Sequence, residues 1–196
     1  MSYTLIFDTE TTGLPKKRRV SALESPDIWP DLVSICWHLY KDKQLVSKEH
    51  AIIKPQGWTI PAESVKFHGI TTEIATEKGR PLAEVLGLFL NDLLVSQKVI
   101  AHNLEFDKNV LLHAWKWRLN VNPSFWPVKA EFCSCDTAKW ELKLRSLYPT
   151  PKDPYQMPSL DYLYEDTFKV KAPGGAHSAD RDVDVLQQIV WKRWFQ

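Results

Sequence analysis

Asp8 and Glu10 stand two positions apart at the end of an apolar run, Tyr3-Thr4-Leu5-Ile6-Phe7. Such a run reads as a buried strand, and side chains at i and i+2 of a strand share a face. Two carboxylates held side by side repel unless a cation lies between them, and hard oxygen ligands select Mg²⁺ or Mn²⁺. Further along come His102-Asn103-Leu104-Glu105-Phe106-Asp107, then His177 with Asp182 five positions beyond it. Asp107 and Asp182 fall near the starts of predicted helices, where unpaired backbone N–H groups favour negative charge. If these helices pack beside the first strand, the carboxylates of Asp8, Glu10, Asp107 and Asp182 converge. Such a cluster predicts two divalent ions about 3.5–4 Å apart, one to activate a water and one to stabilise a departing 3′ oxygen in phosphodiester hydrolysis. His177, in a loop beside Gly174-Gly175, would take the proton from that water, a task suited to imidazole.

The elements that must position these groups can be read from periodicity. Strands are expected over residues 32–40 and 44–53, joined by a turn at Asp42-Lys43, and with the first strand they make an antiparallel meander. Thr11-Thr12-Gly13-Leu14-Pro15 reads as a turn, and residues 16–30, polar and proline-rich, as an exposed insertion. Residues 61–77 suggest two short helical turns around Phe67-His68-Gly69-Ile70-Thr71. Leu82, Val85, Leu86, Phe89, Leu90 and Leu93 recur at helical spacing and predict an amphipathic helix over 81–96. Val99-Ile100-Ala101 reads as a short strand, and Asn103 as the start of a helix reaching about residue 118. A strand over 132–136, a helix to about residue 144 and a proline-rich loop over 145–158 follow. Ser159 and Ser178 are placed to cap the last two helices, the final one carrying Val183, Leu186 and Val190 on its inner face. With no repeat and no domain-sized linker, a single domain over residues 1–196 is expected: an α/β fold whose mixed central sheet contains the meander and is flanked by helices.

Composition narrows the function. No apolar run approaches a membrane span, and residues 1–14 lack the shape of a signal peptide, so no membrane partner is expected. Twenty-five basic and 24 acidic side chains leave a net charge of +1, so a nucleic-acid ligand would need a local groove rather than a global positive field. Three cysteines cannot form a complete disulfide framework; Cys133 and Cys135, alternating on an apparent strand, and Cys36 read as thiols of a reducing, cytoplasmic compartment. The nine tryptophans are scattered through apolar segments, which favours packing over base stacking.

In order and type these motifs resemble those of the DnaQ-like DEDDh 3′→5′ exonucleases, the group that includes the proofreading epsilon subunit of bacterial DNA polymerase III and RNase T. Asp8-Thr9-Glu10-Thr11-Thr12-Gly13-Leu14 resembles the first exonuclease motif, the run from His102 to Asp107 the second, and Ala176-His177 with Asp182 the third. The resemblance runs essentially end to end. It implies an RNase H-like fold, two divalent metal ions, and stepwise release of 5′-mononucleotides from a free 3′ end. It also implies that Thr9, Thr12 and Leu14 border the terminal nucleotide, with Leu14 wedging against its base. Phe106 would pack on sugar or base, Asn103 would touch the backbone, and His68 would flank the nucleotide pocket. Residues 16–30 depart from the shortest members of the group.

Plainer readings stand beside these. His102 is either a core histidine or a substrate contact, while His38 and His113 read as structural. Lys16-Lys17-Arg18-Arg19 resembles a nuclear import signal but reads more simply as a solvated loop that could also meet phosphates. Gln156-Met157-Pro158-Ser159-Leu160 faintly resembles a sliding-clamp peptide, which helix capping by Ser159 explains more simply. Asp180 and Asp184 are expected to face solvent. The leading expectation is an exodeoxyribonuclease acting on single-stranded or frayed 3′ ends in proofreading or repair. An exoribonuclease trimming RNA uses the same chemistry. An inactive module docked on a polymerase or clamp ranks last, because no ligand of the motif is missing.

Overall fold

Alternation along the first strand divides its side chains between two cores, and the same division places the acidic groups. The computed structural model describes residues 2–17, 19–122, 126–127, 130–175 and 177–195; Arg18 of the basic run and Ala176 of the third motif lie outside them. β1 (Tyr3–Thr11) is the central strand of a five-stranded sheet. It pairs antiparallel with β2 (Leu32–Lys41), which pairs antiparallel with β3 (Gln44–Ile52). On its other edge it runs parallel to β4 (Lys98–Ala101), beside which lies parallel β5 (Ala130–Cys133). The expected meander and mixed sheet are therefore both present.

Leu5 and Phe7 of β1 enter one core, covered by Leu82, Val85, Leu86, Phe89 and Leu93 of α3 (Leu82–Val95). Phe89 sits with its ring centroid 5.4 Å from those of both Phe7 and Trp37, which ties helix to sheet. Ile6 points the other way, into a second core with Ile100 and with Val183, Leu186 and Val190 of α7 (Ala179–Arg193). The short helices α1 (Ala62–His68) and α2 (Thr72–Lys78) precede α3. α4 (Leu104–His113) follows β4 and continues through a π-helical turn, Ala114–Arg118, so the helix expected to reach residue 118 does so with a change of pitch. α5 (Ser134–Leu142) and α6 (Leu160–Phe168) complete the helical layers, and none of the described helices is long and apolar enough to cross a membrane.

Several local expectations change. The strand expected over 132–136 ends at Cys133, because its partner β4 ends at Ala101 and offers no ladder beyond that pair. Cys135 thus lies in the first turn of α5, and its sulfur is 3.5 Å from that of Cys133 instead of alternating with it across a strand. All three cysteines are free thiols. The loop expected over 145–158 contains a hairpin, β6 (Arg145–Thr150) and β7 (Asp153–Tyr155). Ser159 caps α6 as expected, accepting from the Tyr162 N–H at 3.2 Å. Ser178 occupies the cap position of α7, but its hydroxyl donates to Asp180 and caps no helix N–H.

Residues 16–30 are not wholly exposed. Lys16, Lys17, Arg19 and Glu24 face solvent, but Ala22 and Trp29 are buried in the α3 core. The segment is fastened through its backbone: the His113 ring donates to Pro26 O at 3.0 Å and the Trp117 indole to Ala22 O at 2.8 Å, while Asn109 Oδ1 accepts from the Ala22 N–H at 2.9 Å. At its end Asp31 accepts a two-pronged ion pair from Arg118. The π-helical turn aims Trp117 and Arg118 at this segment.

Candidate active site

Period-two alternation puts Asp8 and Glu10 on the face of β1 that Ile6 shares, and that face is covered by α7. Asp182 lies in the first turn of α7. Asp8, Glu10 and Asp182 each bring a carboxylate oxygen within 4.8 Å of the others. Thr9 points to the opposite face, toward α4, and there holds Asp107: its hydroxyl donates to Asp107 Oδ1 at 2.6 Å and its backbone N–H to the same oxygen at 3.2 Å. That N–H is available because the β1–β4 ladder stops at the pair Ile6–Ile100. Asp8, Glu10 and Asp182 thus form a tight trio, and the buried Asp107, fixed by Thr9, stands close enough to be the strongest of the charges acting on Asp8.

The electrostatics report unmet negative charge. Burial pushes the Asp8 carboxyl well above the usual range, reinforced by the charges of Asp107, Glu10 and Asp182. Glu10 is pushed up to about 8 by burial, then by Asp182 and Asp107. Burial raises Asp107 to about 7 against the pull of the two Thr9 bonds. Asp182 is raised by burial although Arg181 opposes the shift. Asp8 and Glu10 have no ion-pair partner among the described residues. Clustered carboxylates that hold protons so tightly fit a divalent cation bound through oxygen.

His177 sits at φ 67° just before α7, with its backbone N–H donating to Asp182 Oδ2 at 3.1 Å. Its exposed ring meets Phe67 edge-on at 5.5 Å. His68 lies nearby on α1; its Nδ1 accepts from the Ile70 N–H at 3.1 Å, its ring faces the Thr11 backbone, and burial lowers its pKa. Leu14 is 79% exposed beside this cluster's strand, free to meet a ligand. Thr12 is less free: its hydroxyl accepts from the Asp31 N–H at 2.9 Å, which ties the Leu14 turn to the end of the anchored segment. Phe106 is half-buried with its ring 5.7 Å from Trp29, and Asn103, exposed at φ 79°, lines a cavity of about 740 Å³ with Cys133 and Met157.

His102 is half-buried and spends both ring nitrogens on partners within the fold. Its Nε2–H donates to Pro158 O at 3.1 Å, its Nδ1 lies 2.8 Å from the Ser134 hydroxyl, and burial lowers its pKa to about 4, which keeps it neutral. This bond also accounts for Pro158 in the clamp-like segment. Asp184 does not simply face solvent, since Lys48 pairs with both its oxygens at 3.1 Å. One residue of the site went unread in the sequence. Arg181 grips Asp182 Oδ1 at 2.7 Å and Asp161 Oδ1 at 2.6 Å, and its Nε donates to Pro173 O. Adjacent residues on a helix do not ordinarily face each other, so Arg181 gave no signal beside Asp182.

A parallel–antiparallel sheet with acidic groups at the end of its central strand and on the flanking helix is the RNase H-like arrangement. The exonuclease family model of the RNase T type matches residues 5–190, and the chain belongs to this DnaQ-like family. Crystal structures of E. coli Exonuclease I share the fold. One in complex with a dT13 oligonucleotide has 17% identity and a TM-score of 0.72, covering 97% of this chain and 40% of that one. A second, with a dA16 oligonucleotide, has 19% identity and a TM-score of 0.73, covering 99% and 41%. A zinc-bound form of the Exonuclease I–single-stranded DNA complex has 20% identity and a TM-score of 0.71, covering 98% and 41%. The chain thus spans about two fifths of the length of these neighbours. No curated protein matches it significantly.

Proposed function

We propose that this chain is a metal-dependent 3′→5′ exonuclease that removes nucleotides from single-stranded or frayed DNA ends and releases 5′-mononucleotides. The observation that carries the reading is the trio Asp8, Glu10 and Asp182 with oxygens within 4.8 Å, beside Asp107 held by Thr9. These four carboxylates would hold two divalent ions, Mg²⁺ or Mn²⁺. When bound, such ions supply Lewis-acid activation of water and charge stabilisation at the leaving oxygen. His177 accepts the proton of the attacking water, its backbone fixed to Asp182 and its ring set against Phe67. Thr9 orients Asp107, and Arg181 orients Asp182. Leu14 and Phe67, both largely exposed, offer apolar surface to the terminal base. The DNA-bound state of the Exonuclease I neighbours supports DNA as substrate.

The experiment is a time course on matched DNA and RNA single strands, labelled at the 5′ or the 3′ end, with Mg²⁺ or Mn²⁺. The expected result is a descending ladder from 5′-labelled DNA, immediate release of label as mononucleotide from 3′-labelled DNA, and slower loss of RNA. Faster RNA loss would turn the reading to an exoribonuclease, and internal cleavage would overturn it.

A further inference from the structure

Between α5 and α6 the chain forms the β6–β7 arm, which the active site does not use. It pairs at its ends: Arg145 opposes Tyr155, Thr150 opposes Asp153, and the Gln156 N–H donates to Leu144 O at 2.9 Å. Between these ends Leu147 and Tyr148 are 84% and 88% exposed. Pro149, Pro151 and Pro154 lack N–H donors, so the arm is a poor template for pairing with another strand. Its charges are sorted. Over residues 139–155, Glu141 is held by Arg193 and Asp153 by Lys139. Lys143, Arg145 and Lys152 are exposed and carry no ion-pair partner among the described residues. Trp140, half exposed, meets the Tyr155 ring edge-on at 5.7 Å, so aromatic surface continues along the base of the arm.

The arm returns to the catalytic end of the sheet. Pro158 O accepts from His102, and Met157 lines the same cavity as Asn103 at the start of α4. Unpartnered cations interleaved with exposed rings complement a flexible polyanion whose units each carry an aromatic face. We propose that the β6–β7 arm grips single-stranded DNA on the 5′ side of the 3′ end being processed, with Tyr148 stacking on a base and Lys143, Arg145 and Lys152 meeting phosphates. This rests on the exonuclease reading and supplies the local positive surface that a chain of net charge +1 requires.

Fluorescence anisotropy in EDTA, with oligothymidylates of about 4 and about 16 nucleotides, tests it. Tyr148→Ala should weaken the long strand roughly 10-fold and the short one less than about 2-fold. The triple variant Lys143→Ala, Arg145→Ala, Lys152→Ala should reduce the slope of log affinity against log salt by about 2 for the long strand. Both variants should degrade the short strand at the wild-type rate. Equal effects on the two lengths, or an unchanged affinity and salt slope, would overturn the arm's role, and unchanged values would leave the exposed arm to a protein partner. The exonuclease reading fails separately, if the wild type binds strands but hydrolyses none with Mg²⁺ or Mn²⁺.

Discussion

Asp107 is oriented by one short hydroxyl bond, from Thr9 at 2.6 Å, and that bond can be removed without changing the shape of the strand. Thr9→Val should cut turnover about 10–100-fold while leaving the melting temperature nearly unchanged, and Thr9→Ser should restore most of it. A wild-type rate in Thr9→Val, measured by steady-state hydrolysis, would show that Asp107 needs no such support. His177 tests a different role. It is held near Asp182 through its backbone, so its side chain can be deleted without disturbing that contact. His177→Ala should lower turnover about 10²–10⁴-fold with an unchanged metal requirement. Recovery of the rate in excess Mn²⁺ would reassign the imidazole to metal binding.

At the scale of elements, the anchored segment at residues 16–30 has the clearest energetic consequence. Trp29 is buried against the α3 core and donates its indole N–H to Val20 O at 2.9 Å. Trp29→Ala should therefore cost about 3–5 kcal/mol in urea unfolding. A wholly exposed insertion would lose under about 0.5 kcal/mol. The sequence reads this segment as exposed because its fastenings are backbone groups of Val20, Ala22, Leu23 and Pro26, which leave no mark on residue type. β1, α3 and α7 were legible because their apolar spacing is the same property that buries them, and through β1 and α7 the carboxylates of Asp8, Glu10 and Asp182 were legible too. The end of β5 at Cys133 was not, since the length of β4 sets it. The hairpin hidden in residues 145–158 was masked by its prolines, which usually mark loops.

Across the whole molecule, a metal held by the acidic site would make stability depend on pH and metal together. Glu10 keeps its proton up to about 8 in the metal-free fold, against 4.5 ordinarily, so between those values the folded chain binds more protons than the unfolded one. Its contribution must fall as pH rises through that window and vanish below about 4.5, where both states are protonated. Other groups titrate there as well, so the comparison to make is with Glu10→Gln. Melting of the metal-free chain should show a smaller decline from pH 5 to about 8 in Glu10→Gln than in wild type, and Mg²⁺ should raise the wild-type melting temperature most at the upper end. Parallel melting curves would remove Glu10 from the cluster. Whether Asp8, Glu10 and Asp182 form the metal-dependent centre of a 3′ exonuclease is read from the hydrolysis rate of Asp182→Ala and Asp8→Ala on single-stranded DNA in Mg²⁺, with folding checked by circular dichroism. Both folded variants should have rates at least about 10²–10³-fold below wild type; a folded variant that keeps more than about a tenth of the wild-type rate would show that its carboxylate is not a metal ligand.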